Sequence, residues 1–240
     1  MAERKAVVIV PTYNEAENIE ALLGAIEANV PGLAVLVVDD NSPDGTQDIV
    51  EKVMEGSPHV HLLRRPGKQG LGNAYKAGFQ WALDRGFDAL IEMDADFSHP
   101  PETLPTMIAR LAQNPVVVGS RYIPGGSVSG WGPLRQIISR AGNLYARAVL
   151  GVRTQDMTGG FNGWRREVLE AIDYLSVGSR GYVFQIELKY RSLLKGYSIS
   201  EFPILFANRT MGKSKMSGSI FWEAALQVVK LRNKARRLAT

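Results

Sequence analysis

Short apolar runs alternate with helical stretches through the first half of the chain, and this alternation restricts the possible folds more than any other feature. Five runs are rich in Val, Ile and Leu, as buried parallel strands are; they are Ala6 to Val10, Leu33 to Val38, Val60 to Leu63, Ala89 to Met93 and Val116 to Gly119. Helices are predicted between them, at about residues 15–29, 46–55, 72–85 and 102–113. Repeated βα units predict an α/β fold with a mostly parallel central sheet, whose ligand crevice lies at the carboxyl ends of the strands.

The second half has a weaker pattern. A Gly-rich segment from Arg121 to Pro133 precedes a basic amphipathic helix near 134–150. After a mixed region, the pattern predicts a helix near 183–195, a strand near 198–206 and a last helix near 219–237. No linker or low-complexity tract divides the chain, so we expect a single domain over residues 1–240, with a second half built to receive another substrate.

The composition excludes several classes of protein. With no Cys in 240 residues, the chain has no disulfide framework, thiolate zinc site or cysteine nucleophile, so catalysis would rest on carboxylates, bases and bound ions. No apolar run approaches the ~18 residues needed to cross a bilayer, and the first strand is too short for a signal-peptide core. We therefore expect a chain that is neither inserted nor secreted by its own signal. The net charge of +4 does not support a nucleic-acid partner, although five basic residues and no acid in 230–240 suit a local anionic partner.

Two carboxylates, Asp94 and Asp96, directly follow the fourth apolar run. If the strand extended through them, their side chains would point the same way, because side chains alternate along extended backbone. Paired hard oxygen ligands suit Mg²⁺ or Mn²⁺ bound together with substrate phosphates, which predicts a nucleotide diphosphate as the ligand. The alternative is that this Asp-x-Asp pattern only hydrates a turn or caps the next helix.

Polar clusters also follow the first and second runs. They are Pro11-Thr12-Tyr13-Asn14-Glu15 and Asp39-Asp40-Asn41-Ser42-Pro43-Asp44-Gly45-Thr46. Each cluster alone is read more simply as a helix cap or an Asx-turn. Three acidic clusters at one sheet edge would repel one another unless a positive or hydrogen-bonding group joins them, so their joint occurrence favours a nucleotide site.

These segments resemble the dolichol (polyprenol) phosphate mannose synthases. The resemblance runs from about residue 6 to residue 217 and is carried by segments 8–15, 37–46, 70–72, 93–101 and 119–122. Its most specific parts are Asp-Asp-Asn-Ser-Pro-Asp-Gly-Thr at 39–46 and Asp-Ala-Asp-Phe-Ser-His-Pro-Pro at 94–101. It implies an inverting glycosyltransferase with an A-type Rossmann-like fold, which uses GDP-mannose as donor and a polyprenyl phosphate as acceptor.

Matched position by position, the resemblance implies two sets of donor-binding residues. The guanosine end of the donor would contact Pro11, Tyr13, Glu15 and Asp39 or Asp40. The diphosphate and a Mg²⁺ or Mn²⁺ ion would contact Asp94, Ala95 and Asp96. Ser98 stands where some members have a Gln that reaches the cation; its shorter side chain leaves open whether it is a metal ligand. His99, which precedes Pro100-Pro101, is expected to shape the turn.

The resemblance also implies residues that hold the acceptor and assist the reaction. Arg121, Arg135 and Ser139 would surround the acceptor phosphate, and Arg135 and Ser139, four residues apart, share one helix face. Arg209 and Lys215 lie in a basic segment and would grip phosphates. The implied catalytic residues are Asp96, Arg121, Arg209 and Lys215. Because a phosphate monoester is largely ionised at neutral pH, with a second pKa of about 6, its oxygen needs no general base.

Together with the proposed substrates, the sequence pattern divides the domain. We expect a nucleotide-binding half of about 1–120, an acceptor-binding half of about 121–218 and a C-terminal amphipathic helix of about 219–237. We expect peripheral contact with the cytoplasmic face of a membrane through this helix, unless its apolar side packs on the domain instead. A separate membrane-anchoring partner is compatible with this arrangement. Two alternatives stay open: an enzyme that transfers another sugar from a UDP-sugar to the same lipid, and a nucleotide-binding regulatory or scaffold protein without turnover.

Overall fold

A computed structural model describes residues 5–179, 181–208 and 225–233. Within these ranges the chain forms nine strands: β1 (Ala6–Thr12), β2 (Ala34–Asp39), β3 (Val60–Arg64), β4 (Ala89–Glu92), β5 (Val116–Ser120), β6 (Ser127–Val128), β7 (Asn162–Arg165), β8 (Ile199–Pro203) and β9 (Leu205–Phe206). The α-helices bounded within the same ranges are α1 (Ile19–Asn29), α2 (Thr46–Gly56), α3 (Leu71–Asp84), α4 (Leu104–Leu111), α5 (Pro133–Leu150), α6 (Arg166–Ala171) and α7 (Tyr182–Leu194). Short 3₁₀ helices occupy Pro101–Thr103 and Tyr174–Ser176, and residues 225–233 are helical.

The central sheet has seven strands in the order β3-β2-β1-β4-β7-β5-β8. β1 to β4 pair in parallel, as do β5 and β8, whereas β7 runs antiparallel to both of its neighbours. β6 and β9 form a separate parallel pair. This mostly parallel sheet confirms the predicted α/β class. It also brings the carboxyl ends of β1, β2 and β4 to one edge.

Helices cover both faces of the sheet, because successive strand residues point to opposite sides. In β1, Val8 and Val10 pack in a core with α1, α2 and α4. Val7 and Ile9 pack on the opposite face with α3, α6 and α7. Strands buried on both faces read as continuous apolar runs, which is why the five predicted strands are all confirmed to within about two residues.

β7 is the central strand that the sequence pattern did not predict. Its residues, Asn162-Gly163-Trp164-Arg165, contain no apolar run, yet the strand lies between β4 and β5. A Cβ at Gly163 would lie 2.6 Å from Leu111 Cδ1, so the absence of a side chain lets α4 approach the sheet closely. The buried Trp164 fills the other face. Tertiary packing therefore makes this polar segment a strand.

β4 ends earlier than predicted, and this changes the geometry of the two acids that follow it. Its last residue is Glu92, and Ala95 and Asp96 lie in a turn. Phe97 has a φ of 58°, in the left-handed region. The premise that an extended strand points Asp94 and Asp96 the same way is therefore wrong; a turn presents them instead.

The predicted last helix at 219–237 is described only at 225–233. There Val228 is buried against Ala146 and Leu150 of α5 and against side chains of α7. The hydroxyl of Tyr145 donates to the carbonyl of Ala225 at 3.1 Å. In this stretch, one apolar side of the helix packs on the domain. No helix within the described ranges is both long enough and apolar enough to span a bilayer.

Candidate active site

The loops after β1 and β2 are joined to each other at the carboxyl edge of the sheet. Three backbone N–H groups of the first loop donate to side chains of the second: Asn14 to Ser42 Oγ (3.0 Å), Glu15 to Thr46 Oγ1 (3.1 Å) and Ala16 to Asp44 Oδ2 (3.0 Å). Asn14 reaches this position with a φ of 61°, a conformation that Asn tolerates better than most residues. The polar clusters after β1 and β2 thus meet, as predicted, and form one continuous wall.

Asp39 is fully buried and already satisfied by the protein. One carboxylate oxygen accepts hydrogen bonds from the Thr12 hydroxyl (2.8 Å) and the Ser42 hydroxyl (2.6 Å). The other accepts from the Ser42 N–H (2.9 Å) and the Gln47 amide (2.5 Å). Neutral donors therefore stabilise the charge of this acid. Contrary to the sequence-based expectation, Asp39 needs no bound ligand to offset repulsion from the other acidic clusters.

Asp40 and Tyr13 face basic residues that follow β3. Arg65 Nη1 lies 2.5 Å from Asp40 Oδ1, with both side chains buried. Burial raises the pKa of Asp40 despite this arginine. Lys68 Nζ lies 4.0 Å from the centroid of the Tyr13 ring, and Tyr13 is exposed. Of the predicted guanosine contacts, Tyr13 thus presents an accessible ring, half-exposed Pro11 lies near the end of β1, and Glu15 begins the next turn.

His99 shapes the turn that carries the two central acids, as expected. It is buried, and burial lowers its pKa, which favours the neutral ring. Its Nδ1 accepts the backbone N–H of Asp94 at 2.9 Å, and its ring packs against Phe161 with centroids 5.3 Å apart. The Tyr75 hydroxyl donates to Asp94 Oδ1 at 3.3 Å. Asp94 is thereby held at the end of β4 with its side chain half-buried.

Asp96 and Ser98 occupy the next part of the turn. The Ser98 N–H donates to Asp96 Oδ1 at 3.1 Å, and Asp96 is buried. The Ser98 hydroxyl is also buried but has no hydrogen-bond partner. Such an orphaned oxygen two residues from a carboxylate is compatible with a missing ligand. Over the described ranges, no set of three or more His, Asp or Glu side chains is arranged to hold a metal, so a cation here would also need substrate oxygens or water.

Arg121 follows β5 and is held by a carboxylate that the sequence analysis did not single out. Its Nε and Nη2 donate to the two oxygens of Asp156, each at 2.8 Å, and its N–H donates to the same carboxylate at 3.1 Å. Burial alone would raise the pKa of Asp156, but the charge and hydrogen bonds of Arg121 lower it to about 2. Both residues are buried. This bidentate pair fixes the plane of the guanidinium.

The Arg121 pair lies close to the turn that carries Asp94. The ring of Phe206 stands between them, 5.4 Å from Arg121 Cζ and 5.6 Å from the centroid of His99. The loop 156–160 also links Arg121 to the Asp94 turn. Asp156, at its start, pairs with Arg121, and a Cβ at Gly160 would lie 3.9 Å from Asp94 Oδ2. A fixed arginine and the strand-end acids therefore border one site.

α5 places the other predicted acceptor residues beside Arg121. The hydroxyls of Ser139 and Tyr122 are 2.6 Å apart. One turn earlier, Arg135 Nη1 donates to Asn208 Oδ1 at 3.2 Å, while Arg135 Nε is buried without a partner. Asn208 is the last residue described before the gap at 209–224. Arg209 and Lys215 themselves lie outside the described residues, and their roles remain predictions.

A cleft of about 520 Å³ opens between α5 and the segment after β5. Arg121, Arg140 and Arg147 line it together with apolar Ile123, Pro124 and Leu144, and no acidic side chain contributes to the lining. The Nε of Arg147 is buried without a partner. A cleft with cationic and apolar walls suits an anionic group attached to a hydrophobic chain. Arg140 and Arg147 escaped the sequence analysis because they were only part of a basic helical pattern.

A buried polar network supports the site from below, and sequence reasoning missed it too. Glu92, at the end of β4, accepts hydrogen bonds from Trp164 (3.0 Å), Asn162 (2.8 Å) and Gln185 (3.0 Å). Burial raises the pKa of Glu92 to about 7. On α7, the completely buried Lys189 donates to backbone carbonyls of the loop after Asp156. In the sequence these residues sit singly among apolar neighbours, so no motif identifies them.

The fold and site define the class of protein: a nucleotide-sugar glycosyltransferase with strand-end acids and a cationic second half. Residues 7–173 match Glycosyl transferase family 2, and the chain belongs to that family. It is 46% identical over 226 residues to the undecaprenyl-phosphate mannosyltransferase of Micrococcus luteus, covering 94% of this chain and 93% of that protein. It is also 46% identical over 227 residues to the polyprenol monophosphomannose synthase of Mycolicibacterium smegmatis, covering 94% and 86%. These relatives confirm the resemblance seen in the motifs.

A solved structure supports the assignment of the fold. Glucosyl-3-phosphoglycerate synthase from Mycobacterium tuberculosis, in complex with Mn²⁺, uridine diphosphate and glucosyl-3-phosphoglycerate, is similar with a TM-score of 0.65. The match covers 98% of this chain and 80% of that chain at 19% sequence identity. At this identity the similarity shows the shared architecture alone. That architecture is the A-type glycosyltransferase fold expected from the motifs.

Proposed function

We propose that this protein transfers mannose from GDP-mannose to a polyprenyl phosphate with inversion, giving polyprenyl phosphate mannose and GDP. The observation that carries the proposal is the cleft beside α5, which is lined by three arginines and by apolar side chains. Of the three arginines, Arg121 reaches toward the Asp94 turn, with the ring of Phe206 between them. An acceptor with a phosphate head and a hydrocarbon tail matches both kinds of wall. The two curated relatives support the same acceptor and sugar through their names.

The chemistry follows from the charges of the two substrates. The acceptor phosphate is already ionised at neutral pH, so it attacks the anomeric carbon without a general base. Attack from the face opposite the leaving GDP inverts the configuration. Arg121 offsets repulsion between the phosphates, and Arg135, Arg209 and Lys215 are proposed to add to this.

A divalent cation, Mg²⁺ or Mn²⁺, is proposed to bind at Asp94 and Asp96 together with the donor diphosphate. The two carboxylates and the orphaned hydroxyl of Ser98 supply hard oxygens of the kind these ions take. Bound there, the ion would stabilise the charge that develops on the departing diphosphate.

Peripheral contact with the cytoplasmic face of a membrane is proposed through α5. Its exposed large apolar side chains are Leu134, Ile137, Ile138 and Leu144. Their spacing of three, four and six or seven residues places them along one stripe of the helix. Arg140 and Arg147, which line the adjoining cleft, suit an anionic surface. We propose α5 as the main contact. The described part of the C-terminal helix, which the sequence predicted as the contact, packs Val228 on the domain but exposes Leu226 and Val229, and it is proposed to add to the contact of α5.

The test is incubation with labelled GDP-mannose and a polyprenyl phosphate, followed by organic extraction of the lipid product. We expect label in the organic phase, dependence on Mg²⁺ or Mn²⁺, and loss of transfer in excess chelator. UDP-glucose in a parallel reaction distinguishes the related UDP-sugar enzyme. Donor binding without extractable label under every metal condition would contradict the proposal and favour a nucleotide-binding protein without turnover.

A further inference from the structure

The loop 155–159, which carries Asp156, is held by side chains from three different elements: buried Asn143 and Lys189, and half-buried Glu201. Asn143 of α5 accepts the N–H of Met157 at 2.9 Å. Glu201 of β8 accepts the N–H groups of Gln155 (2.7 Å) and Asp156 (2.9 Å). Lys189 of α7 donates to the carbonyls of Asp156 (3.1 Å), Met157 (3.3 Å) and Gly159 (2.8 Å). Asn143 also donates to the carbonyl of Gln155, and Asn162 donates to the carbonyl of Gly159 at 3.2 Å. Lys189 is thus the one charged donor among the described side chains that bind the carbonyls of this loop.

Lys189 is the unusual member of this set. Its side chain is completely buried, and its three N–H donors match the three carbonyl acceptors. Within the described ranges, its ammonium forms no ion pair at 4 Å or less with a carboxylate. A buried cation without a close counter-ion is costly, and apolar side chains of similar size are often as stable or more stable in such places. Stability alone therefore gives little reason for a lysine at this position.

The position of Lys189 connects it to Arg121 through one carboxylate. Three carbonyls turned toward one point would repel one another without a cation between them. With the ammonium in place, the loop holds Asp156 so that both of its oxygens meet the Arg121 guanidinium, and the Gly159 N–H donates to the same carboxylate at 2.8 Å. The charged groups that act on Lys189 are Asp156, Glu92, Arg121 and Glu201.

We propose that Lys189 is a positioning residue. By donating to the carbonyls of Asp156, Met157 and Gly159 it fixes Asp156, and through Asp156 it fixes Arg121 at the acceptor cleft. Lys189 does not touch substrate. Its kinetic consequences rest on the proposed mannosyl transfer, whereas its effect on the loop does not. The two can therefore be tested separately.

The first test is amide hydrogen exchange of the full chain without substrate. The variant is Lys189→Met, which keeps the length and removes the charge and the donors. We expect the N–H groups of Arg121 and Gly159, which both donate to Asp156, to exchange at least tenfold faster than in the wild type, while β1, β2 and β4 keep their protection. Unchanged exchange at Arg121 and Gly159, or an equal loss of protection across the whole sheet, would overturn the proposal.

A matched control lies at the amino ends of the parallel strands, away from the site. Arg165 is a cation whose Nε and Nη2 donate to the carbonyls of Leu111 (2.8 Å) and Ala112 (2.7 Å). It lies opposite Ala89, the first residue of β4, and so is remote from the site. Arg165→Met should leave exchange at Arg121 and Gly159 at the wild-type rate. An equal acceleration there in both variants would reduce the effect to general destabilisation and overturn the proposal.

The second test is steady-state transfer from GDP-mannose to polyprenyl phosphate. Because Arg121 meets the acceptor, Lys189→Met should lower kcat about 10- to 100-fold and raise the acceptor KM, with the donor KM within about twofold of the wild type. Equal losses in donor and acceptor KM would overturn the acceptor-side role. A wild type that transfers no mannose refutes the proposed function alone, because the exchange experiment still decides the role of Lys189.

A third measurement needs no variant and applies even if Lys189→Met does not fold. Burial lowers the pKa of Lys189 to about 8, so the ammonium loses its charge and one donor as the pH rises from 7 to 9. The protection factors of the Arg121 and Gly159 amides should fall over that range, while those of β1 stay level. Level protection factors at both sites would overturn the proposal.

Discussion

The two halves of the molecule treat their charged residues differently. In the first half, two of the acids at the strand ends have partners within the protein. Asp39 accepts hydrogen bonds from the hydroxyls of Thr12 and Ser42 and from the amide of Gln47. Asp40 forms an ion pair with Arg65. In the second half, Arg135 and Arg147 each keep a buried Nε without a partner, and α5 exposes a row of large apolar side chains. The loops after β1 and β2 are therefore largely satisfied within the protein, whereas the surface formed by α5 keeps unsatisfied donors and exposed apolar side chains.

We propose that the two halves bind different substrates. A preformed wall of satisfied acids suits a soluble nucleotide, since little order has to be created when it binds. Arginines that keep a buried Nε without a partner, beside an exposed apolar helix, suit a phosphate attached to a lipid, which supplies both the anion and the hydrocarbon. The loop 156–160 joins the halves, because it carries the partner of Arg121 at one end and contacts the Asp94 turn at the other.

The largest effect is expected at the acids of the Asp94 turn, which are proposed to hold the metal ion. Asp96→Asn keeps the size of the side chain and its contact with the Ser98 N–H, but it removes the charge that would hold a cation. We expect turnover to fall on the order of 10³-fold, and that of Asp94→Asn to fall less. Initial rates of lipid mannosylation at saturating Mg²⁺ or Mn²⁺ measure both, with thermal unfolding as the control for folding. Wild-type turnover in Asp96→Asn would refute the metal role.

The next test concerns the ion pair that holds the second half. Asp156→Asn leaves the Arg121 guanidinium buried without its counter-ion, and removing one partner of a buried pair costs about 3–5 kcal/mol. We expect that loss in the free energy of unfolding at pH 7, measured with denaturant. Asp173→Asn, at an exposed acid, should change it by under about 0.5 kcal/mol. Equal stability of Asp156→Asn and the wild type would show that Arg121 finds another partner.

Much of the first half follows from sequence, and much of the second does not. The five apolar runs and the polar clusters behind them are local patterns, and the structure confirms the strands and the meeting of the loops after β1 and β2. Asp156, Lys189 and Glu92 act through partners 30 to 93 residues away. Isolated polar residues of this kind carry no periodic signal in the sequence. β7 was missed for the same reason, since packing and not pattern makes it a strand.

The expectation for the β4 acids shows a second limit of sequence reasoning. Alternation along a strand predicts side-chain direction only as far as the strand extends, and β4 ends at Glu92. The bend that follows depends on His99 accepting the Asp94 N–H and on a positive φ at Phe97. Neither feature is visible from the period of the pattern. The resemblance to known motifs identified the acids, but it did not give their geometry.

A smaller effect is expected at the apolar stripe of α5. Ile137→Ser with Leu144→Ser removes two exposed side chains, 64% and 61% accessible, and should leave stability nearly unchanged. We expect binding to vesicles of anionic lipid to weaken roughly tenfold, because each leucine or isoleucine contributes about 1.5–3 kcal/mol when fully buried and less when partly buried. Leu175→Ser, at an exposed leucine away from α5, is the matched control. Equal co-sedimentation of all three proteins would contradict membrane contact through α5.

The smallest expected effect is the response of the Arg121–Asp156 pair to acid. The pKa of Asp156 is lowered from an ordinary 3.8 to about 2 because Arg121 stabilises the charged form. A carboxyl whose pKa is lower in the folded state contributes stability that is fully present above its unfolded pKa and is lost as the pH falls through the folded value. The difference in unfolding free energy between the wild type and Asp156→Asn should therefore be the same at pH 7 and pH 5. At pH 3 it should be narrower by about 1 kcal/mol, since the shift is worth about 2 kcal/mol in total. Denaturant unfolding at the three pH values measures it, and a difference that stays constant down to pH 3 would mean that Arg121 does not depend on the charge of Asp156.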